Sequence, residues 1–403
     1  METLIKQKID LIAECIFAKI QKTEKESFGL YSSKFGFLLF LFYYSRYSKN
    51  KKHKLLAENY AGKLLDRFVE RERSHTFCNG FSGILYLFEF LREHDFIDMD
   101  VDDIQPLLDD YIVTQMRQDI GRRNYDFLHG ALGVGLYFLK KETKSEYIRE
   151  LIDFLYHTAE KDIDRQTFKW KSVVEFETNR IGYNLSLSHG ISSIIIFLSR
   201  VVNSGMADER TMEMLLCAVN YILSQQIDFS QFVTCFPAYS VETKATPVSK
   251  CQFKSVSKCR LAWCYGDLGI GVALWHAGKA VDKAEWKEKG LEVLLQSTQR
   301  RSYNDSRIVD AGICHGSAGV AMIFRRIYFE THREEFKEAY RYWVNQTLNF
   351  SRFEDGLAGY KSLVKDGWKC DYSLLTGISG IGLVFLSYLQ DDQQEWDELF
   401  LLS

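Results

Sequence analysis

Tyr265-Gly-Asp-Leu-Gly-Ile-Gly-Val-Ala-Leu-Trp275, His315-Gly-Ser-Ala-Gly-Val-Ala-Met-Ile-Phe324 and Thr376-Gly-Ile-Ser-Gly-Ile-Gly-Leu-Val-Phe-Leu386 share one pattern. Each runs a glycine straight into an apolar stretch of helical length. The pattern recurs upstream in FGFLLFLFYY (35–44), NGFSGILYLFEFL (79–91), HGALGVGLYFL (129–139) and HGISSIIIFLS (189–199), making seven copies. Five hold an intact G-x-x-G, at Gly80/Gly83, Gly130/Gly133, Gly266/Gly269, Gly316/Gly319 and Gly377/Gly380. The fourth has Gly190 but Ser193, and the first has Ser33 ahead of Gly36.

Taking Ser33 for the first copy, successive spacings are 47, 50, 60, 76, 50 and 61 residues. About fifty residues accommodates two helices and two loops. The glycine-headed helix is apolar nearly all round, so both its faces should be buried. Between the copies lie charged amphipathic stretches such as Glu150–Glu160, Thr211–Gln225 and Glu335–Phe350. Seven such pairs predict an all-α chain, an α/α toroid of seven inner helices ringed by seven outer ones. Closing a ring removes the exposed terminal faces of an open solenoid, and small residues let the helix starts crowd near the axis. An open superhelix of helical hairpins is the alternative.

The repeat spreads over residues 1–403, which favours one large domain over several ordinary ones. Only 3 prolines in 403 residues suits an almost wholly helical chain, and 29 Phe with 22 Tyr supply a sizeable core. Two long gaps, 167–184 and 232–258, are rich in Val, Thr, Phe and Tyr and predict extended or β insertions at one mouth of the ring. They flank His189 and Cys264, so they either shape a peptide-binding rim or merely decorate it.

Net charge is −3, which gives no electrostatic case for nucleic acid. No stretch approaches the roughly 18 uninterrupted apolar residues of a transmembrane segment. The amino terminus carries Ile5, Ile9, Ile12, Ile16 and Ile20 on one helical face, but its interspersed charges are wrong for a signal peptide. Nine cysteines without regular spacing do not read as a disulfide framework, and a reducing cytoplasm follows.

Two junctions carry soft metal ligands: Cys264 in RLAWCYGDLG (260–269), and Cys314 with His315 in GICHGSAG (312–319). Neighbours on a regular helix diverge by about 100°, so Cys314 and His315 could share an ion only from a loop ahead of the helix. Two thiolates and an imidazole are a set that zinc uses in catalytic sites, with the fourth position open. An isolated cysteine is otherwise a small buried hydrophobe. His129 and His189 hold the same pre-glycine position as His315, and Asp126 stands four residues ahead of Gly130, where a helix cap is the plain alternative.

With these residues in view, the chain resembles the lanthionine synthetase C family, the cyclases of lantibiotic biosynthesis. The matching segments are YDFLHG (125–130), NLSLSHG (184–190), WCYGDLG (263–269) and ICHGSAG (313–319), and the resemblance runs over essentially the full length. It implies an α/α toroid with one zinc ion per chain held by Cys264, Cys314 and His315, and active-site positions at Asp126, His189, Arg260 and Tyr265. The implied reaction joins peptide cysteines to dehydroalanine or dehydrobutyrine through lanthionine or methyllanthionine thioethers. The substrate would be a dehydrated precursor peptide with a leader segment. A dehydratase and an exporter would be partners, placing the protein in the cytoplasm or at the membrane periphery. Ser193, where the family has glycine, leaves the tightness of the fourth inner helix open.

In that chemistry His189 is the candidate proton donor, Asp126 its orienting carboxylate, Arg260 a cation for the enolate oxygen and Tyr265 a hydrogen-bond or proton donor. Rival readings are a zinc enzyme adding glutathione to dehydroamino acids in proteins, and a non-catalytic zinc-containing peptide-binding module.

Overall fold

A computed structural model describes residues 1–21, 28–71, 74–98, 105–141, 145–175, 178–241, 259–390 and 395–403. Most of the expected insertion at 232–258, including Cys251, lies outside the described residues. In chain order the first helices are α1 (Glu2–Ile20), α2 (Lys34–Ser48), α3 (Lys51–Arg71), α4 (Phe81–Glu93), α5 (Gln105–Gly121), α6 (Ala131–Lys140) and α7 (Ser145–Thr158). They are followed by α8 (Ile191–Asn203), α9 (Glu209–Ser224), α10 (Phe229–Phe232), α11 (Asp267–Ala280), α12 (Ala284–Ser297) and α13 (Tyr303–Ser306). The last are α14 (Ser317–Thr331), α15 (Glu334–Asn349) and α16 (Ile378–Leu389). The glycine-headed segments are α2, α4, α6, α8, α11, α14 and α16, as the repeat predicts.

The chain divides into two compact units, Met1–Gln115 with Ile308–Ser403, and Met116–Arg307. In the first, α2 packs on α3, α4 and α16, α14 on α15 and α16, and α1 on α16. The last glycine-headed helix therefore lies against the first. The Ile5, Ile9, Ile12 and Ile16 stripe of α1 is wholly buried, which is what its four- and three-residue spacing dictates. In the second unit, α6 packs on α7 and α8, α8 on α9 and α11, and α11 on α12. Glycine-headed helices touch one another and also back onto an amphipathic partner, so both faces are covered.

The expected extended insertion at 167–184 is β structure. β1 (Glu160–Asp162) pairs with β2 (Thr167–Lys169), and β3 (Ser172–Glu175), β4 (Arg180–Asn184) and β5 (Tyr239–Ser240) form an antiparallel sheet in that order. A further hairpin, β6 (Ser362–Val364) with β7 (Gly367–Lys369), fills the long spacing before α16; nothing in the repeat marked it.

The loops ahead of the helices share a construction. Six residues before the glycine, a short polar side chain accepts the backbone N–H two residues on. Asn124 Oδ1 takes it from Asp126 at 3.3 Å, Asn184 Oδ1 from Ser186 at 3.0 Å, Asp310 Oδ1 from Gly312 at 3.3 Å and Asp371 Oδ1 from Ser373 at 2.8 Å. These turns bend the chain sharply enough to aim the following residues. Three residues before the glycine an apolar side chain plugs the core, as Phe127, Leu187, Trp263, Ile313 and Leu374 do. The second glycine of the motif then lies on that residue's carbonyl: a Cβ on Gly83 would stand 1.8 Å from the Phe77 oxygen, and one on Gly319 1.8 Å from the Ile313 oxygen. Only a hydrogen fits there. Ser193 takes that place in α8, where its hydroxyl donates to the Gly190 carbonyl at 2.7 Å and the helix begins as in the other repeats.

Candidate active site

The positions between plug and glycine carry the chemistry. In the second unit, Asp126 uses its two carboxylate oxygens for different tasks. Oδ1 accepts the His129 backbone N–H at 2.8 Å, which is the local cap, while Oδ2 meets His189 Nδ1 at 2.6 Å. The cap and the orienting carboxylate are one residue. His189 is anchored by its own backbone N–H, donated to Ser186 Oγ at 3.1 Å. Burial works against a charged His189, but the hydrogen bond and charge of Asp126, with a smaller contribution from the Cys264 sulfur, outweigh it and hold the imidazole above its ordinary pKa. His129, stacked on His189 with ring centroids 6.1 Å apart, is pushed down by burial. It is a polar neighbour of Asp126.

Tyr265 lies with its ring centroid 6.2 Å from that of His189, and its hydroxyl oxygen accepts from Asn184 Nδ2 at 3.4 Å. Burial raises the phenol's pKa, so it stays an O–H donor at neutral pH. Asn184 stands at the head of the NLSLSHG segment. Its signal is the six-residue spacing to Gly190, shared with Asn124 and Gly130.

Ser188 grips the carbonyl of Cys264 twice, through its backbone N–H at 3.3 Å and its hydroxyl at 3.2 Å. The loop of His189 is thereby tied to the loop of Cys264. Behind Cys264, Gly266 adopts φ +89°, and a Cβ there would stand 2.8 Å from Cys259 Sγ. Asp267, the first residue of α11, is fully buried. It accepts from the Cys235 backbone N–H at 3.0 Å, from that of Phe236 at 3.0 Å and from Arg300 Nη1 at 3.1 Å. Arg300, itself buried, also donates to the carbonyls of Cys259 and Asp305. This pair pins the start of the Cys264 loop, and sequence spacing gave no sign of it. Arg260 is half-buried in the same loop.

In the first unit, Ile313 and Cys314 both donate backbone N–H groups to the Leu375 carbonyl at 2.9 Å. The buried Asp310 places Oδ2 3.7 Å from His315 Nε2, a carboxylate behind the imidazole. Cys264 Sγ, Cys314 Sγ and a ring nitrogen of His315 lie within 4.8 Å of one another, a group that could hold a metal ion. All three residues are half-buried. Cys78, by contrast, is a buried structural thiol beside Asn79.

Asp126, His189 and Tyr265 line one cavity of about 380 Å³, whose wall includes Ser172 and Val173 of β3 and Ile181 of β4. The 167–184 insertion therefore contributes to the rim. Arg260 is not among the cavity's lining residues. Among the described residues no helix is long and apolar enough to cross a membrane.

A family model, lanthionine synthetase C-like protein, matches residues 24–401. The chain belongs to that family. Nisin biosynthesis protein NisC of Lactococcus lactis subsp. lactis is 24% identical over 279 residues, a match covering 64% of this chain and 65% of that protein, just under two thirds of its length. A solved nisin cyclase superposes with a TM-score of 0.78 at 19% identity, covering 100% of this chain and 98% of the other. That likeness carries the fold: the expected α/α toroid is the fold of this family member.

Proposed function

We propose that the protein is a zinc-dependent peptide cyclase, forming lanthionine and methyllanthionine rings in a dehydrated precursor peptide. The observation that carries the reading is the Cys264–Cys314–His315 group, on a chain whose Asp126–His189 pair and Tyr265 line one cavity. Family membership and the relative named for nisin biosynthesis support the substrate class. A single family match over 24–401 supports one toroid domain.

The donor set fits zinc: two thiolates and one imidazole, with a carboxylate behind the imidazole. When bound, zinc would deprotonate a substrate cysteine near neutral pH. The chain's own residues then handle the acceptor. Sulfur bonds to the β-carbon, the double-bond pair moves onto the carbonyl as an enolate, and a proton must reach the α-carbon. His189, whose protonated form Asp126 favours, delivers that proton. The Tyr265 hydroxyl donates a hydrogen bond to the developing oxyanion, and Arg260 supplies positive charge from the loop of Cys264. Dehydratase and exporter partners, with this chain in the cytoplasm or at the membrane periphery, complete the reading.

Metal analysis of the purified chain should return about one zinc, falling sharply in Cys264→Ala and in Cys314→Ala while helical content persists. His189→Asn should keep the zinc and lose thioether formation with a dehydrated cysteine peptide, read by mass spectrometry with thiol alkylation. Full zinc retention in both cysteine variants, or undiminished ring formation by His189→Asn, would overturn the assignment.

A further inference from the structure

The chain carries a net charge of −3, yet the cavity beside His189 is walled by cations. Arg122, Arg123 and Lys171 all line it, against the single carboxylate of Asp126. That carboxylate is committed on both oxygens, to the His129 N–H and to His189. Lys171 is neutralised by its ion pair with Glu160, which the Tyr183 hydroxyl also holds. Arg122 and Arg123 have no such partner: among the described residues neither guanidinium makes an ion pair or side-chain hydrogen bond. They follow α5 directly, and the backbone N–H groups of both turn back onto that helix, at the carbonyls of Gln118 and Ile120, so the two side chains are presented from a fixed turn. Val173 and Ile181 line the same cavity, the latter 50% exposed. Apolar side chains together with two uncompensated guanidiniums make a lining that favours a segment carrying a carboxylate over a bare apolar one.

We propose that Arg122 and Arg123 form a carboxylate-recognising subsite of the peptide-binding cavity, selecting substrate segments that carry an acidic residue near the reacting dehydroamino acid. The inference rests on the proposed peptide substrate and adds a specificity that no residue of the ring-forming chemistry supplies. Arginine suits the task because its planar fork pairs with both carboxylate oxygens. Both side chains are exposed, so the selection is salt-sensitive and acts on binding more than on turnover.

The test uses the full chain and short fluorescent dehydroalanine peptides with serine in place of cysteine, which bind but cannot cyclise. Four versions place Asp or Asn beside the dehydroalanine and end in a free acid or an amide. Anisotropy at low salt should show the Asp peptide binding about fivefold tighter than its Asn counterpart, shrinking as salt is raised. The Arg122→Gln/Arg123→Gln double variant should bind both alike, and Arg122→Lys/Arg123→Lys should keep part of the preference. A preference that follows the free terminus instead assigns the recognised carboxylate to the peptide end. Equal affinity for all four peptides in the unaltered protein, or a preference that survives the Gln variant, would sink the proposal. Ring formation is scored separately, on the neutral cysteine-containing peptide. Thioether formation without any carboxylate preference removes only this subsite, whereas a preference without thioether formation removes the cyclase reading and leaves the subsite standing.

Discussion

The junctions ending at Gly130 and Gly190 and the one ending at Gly266 bring comparable side chains to the start of a helix by different means. In the first two, Asn124 and Asn184 stitch the turn locally, each accepting an N–H from two residues ahead. In the third, that position is Arg260, whose side chain has no acceptor oxygen to offer, and Gly266 takes a left-handed φ of +89°. The stitching is done from outside the loop by Asp267 and Arg300, 33 residues apart. The labour is divided: moving the turn's support to a buried pair leaves the loop of Cys264 able to carry a cation where its siblings carry a structural amide.

Asp267→Ala should have the largest effect. It strands Arg300 without its carboxylate in a fully buried setting, and losing one member of such a pair costs about 3–5 kcal/mol. Urea unfolding should show a loss of that order. A loss under about 1 kcal/mol would mean that the loop of Cys264 is held by other contacts.

Asp126→Asn is next in size and separates the two tasks of that residue. The amide can still cap the His129 N–H, but it no longer carries the charge that keeps His189 above its usual pKa. The His189 titration, followed by NMR of its ring protons, should move down. The sign follows from linkage. With the folded pKa raised, the pair's contribution to stability is fully present below the unfolded histidine value and is lost as pH rises through the folded value. In the variant that pH dependence should flatten. If His189 is the proton donor, ring formation at neutral pH should fall roughly tenfold, with the loss growing as pH rises. An unmoved titration would show that Asp126 caps and nothing more.

Asn124→Ala removes only local bonds, the turn acceptor and the Nδ2 donors to Asp119 and the His129 carbonyl, and about 1–2 kcal/mol of stability with them. The comparison predicts that this loss stays well below that of Asp267→Ala in the same assay. Equal losses would erase the distinction between local and outside support.

These contrasts mark what was legible in the chain. Glycine followed by an apolar run at about fifty-residue intervals announces the helices, because each copy needs the same close approach to the same carbonyl. The residues one and two places before the glycine announced the site, since every loop must point those positions the same way. Asp126 was legible as a cap or as a catalytic partner, and geometry makes it both. Arg300 was not legible: a buried arginine 33 residues from its aspartate follows no local period, and a surface ion pair reads the same way in one dimension. The β6–β7 hairpin escaped for a related reason, as its short strands offer little alternation to see.

The smallest effect is expected where the repeat is broken. At Gly319 a Cβ would stand 1.8 Å from the Ile313 carbonyl, so the approach there tolerates no side chain. The fourth helix carries Ser193 at the matching position, buried and bonded back to Gly190 at 2.7 Å. The loop ahead of α8 must therefore stand back far enough to admit a Cβ, and the hydroxyl merely satisfies itself on a carbonyl three residues earlier. Such back-bonding adds little to a helix, and alanine is the better helix former. Ser193→Ala should then change stability by no more than about 0.5 kcal/mol and leave His189 where it is, read from its NMR titration. A cost above about 2 kcal/mol would show instead that the hydroxyl, not the slack in the loop, is what lets this repeat do without its second glycine.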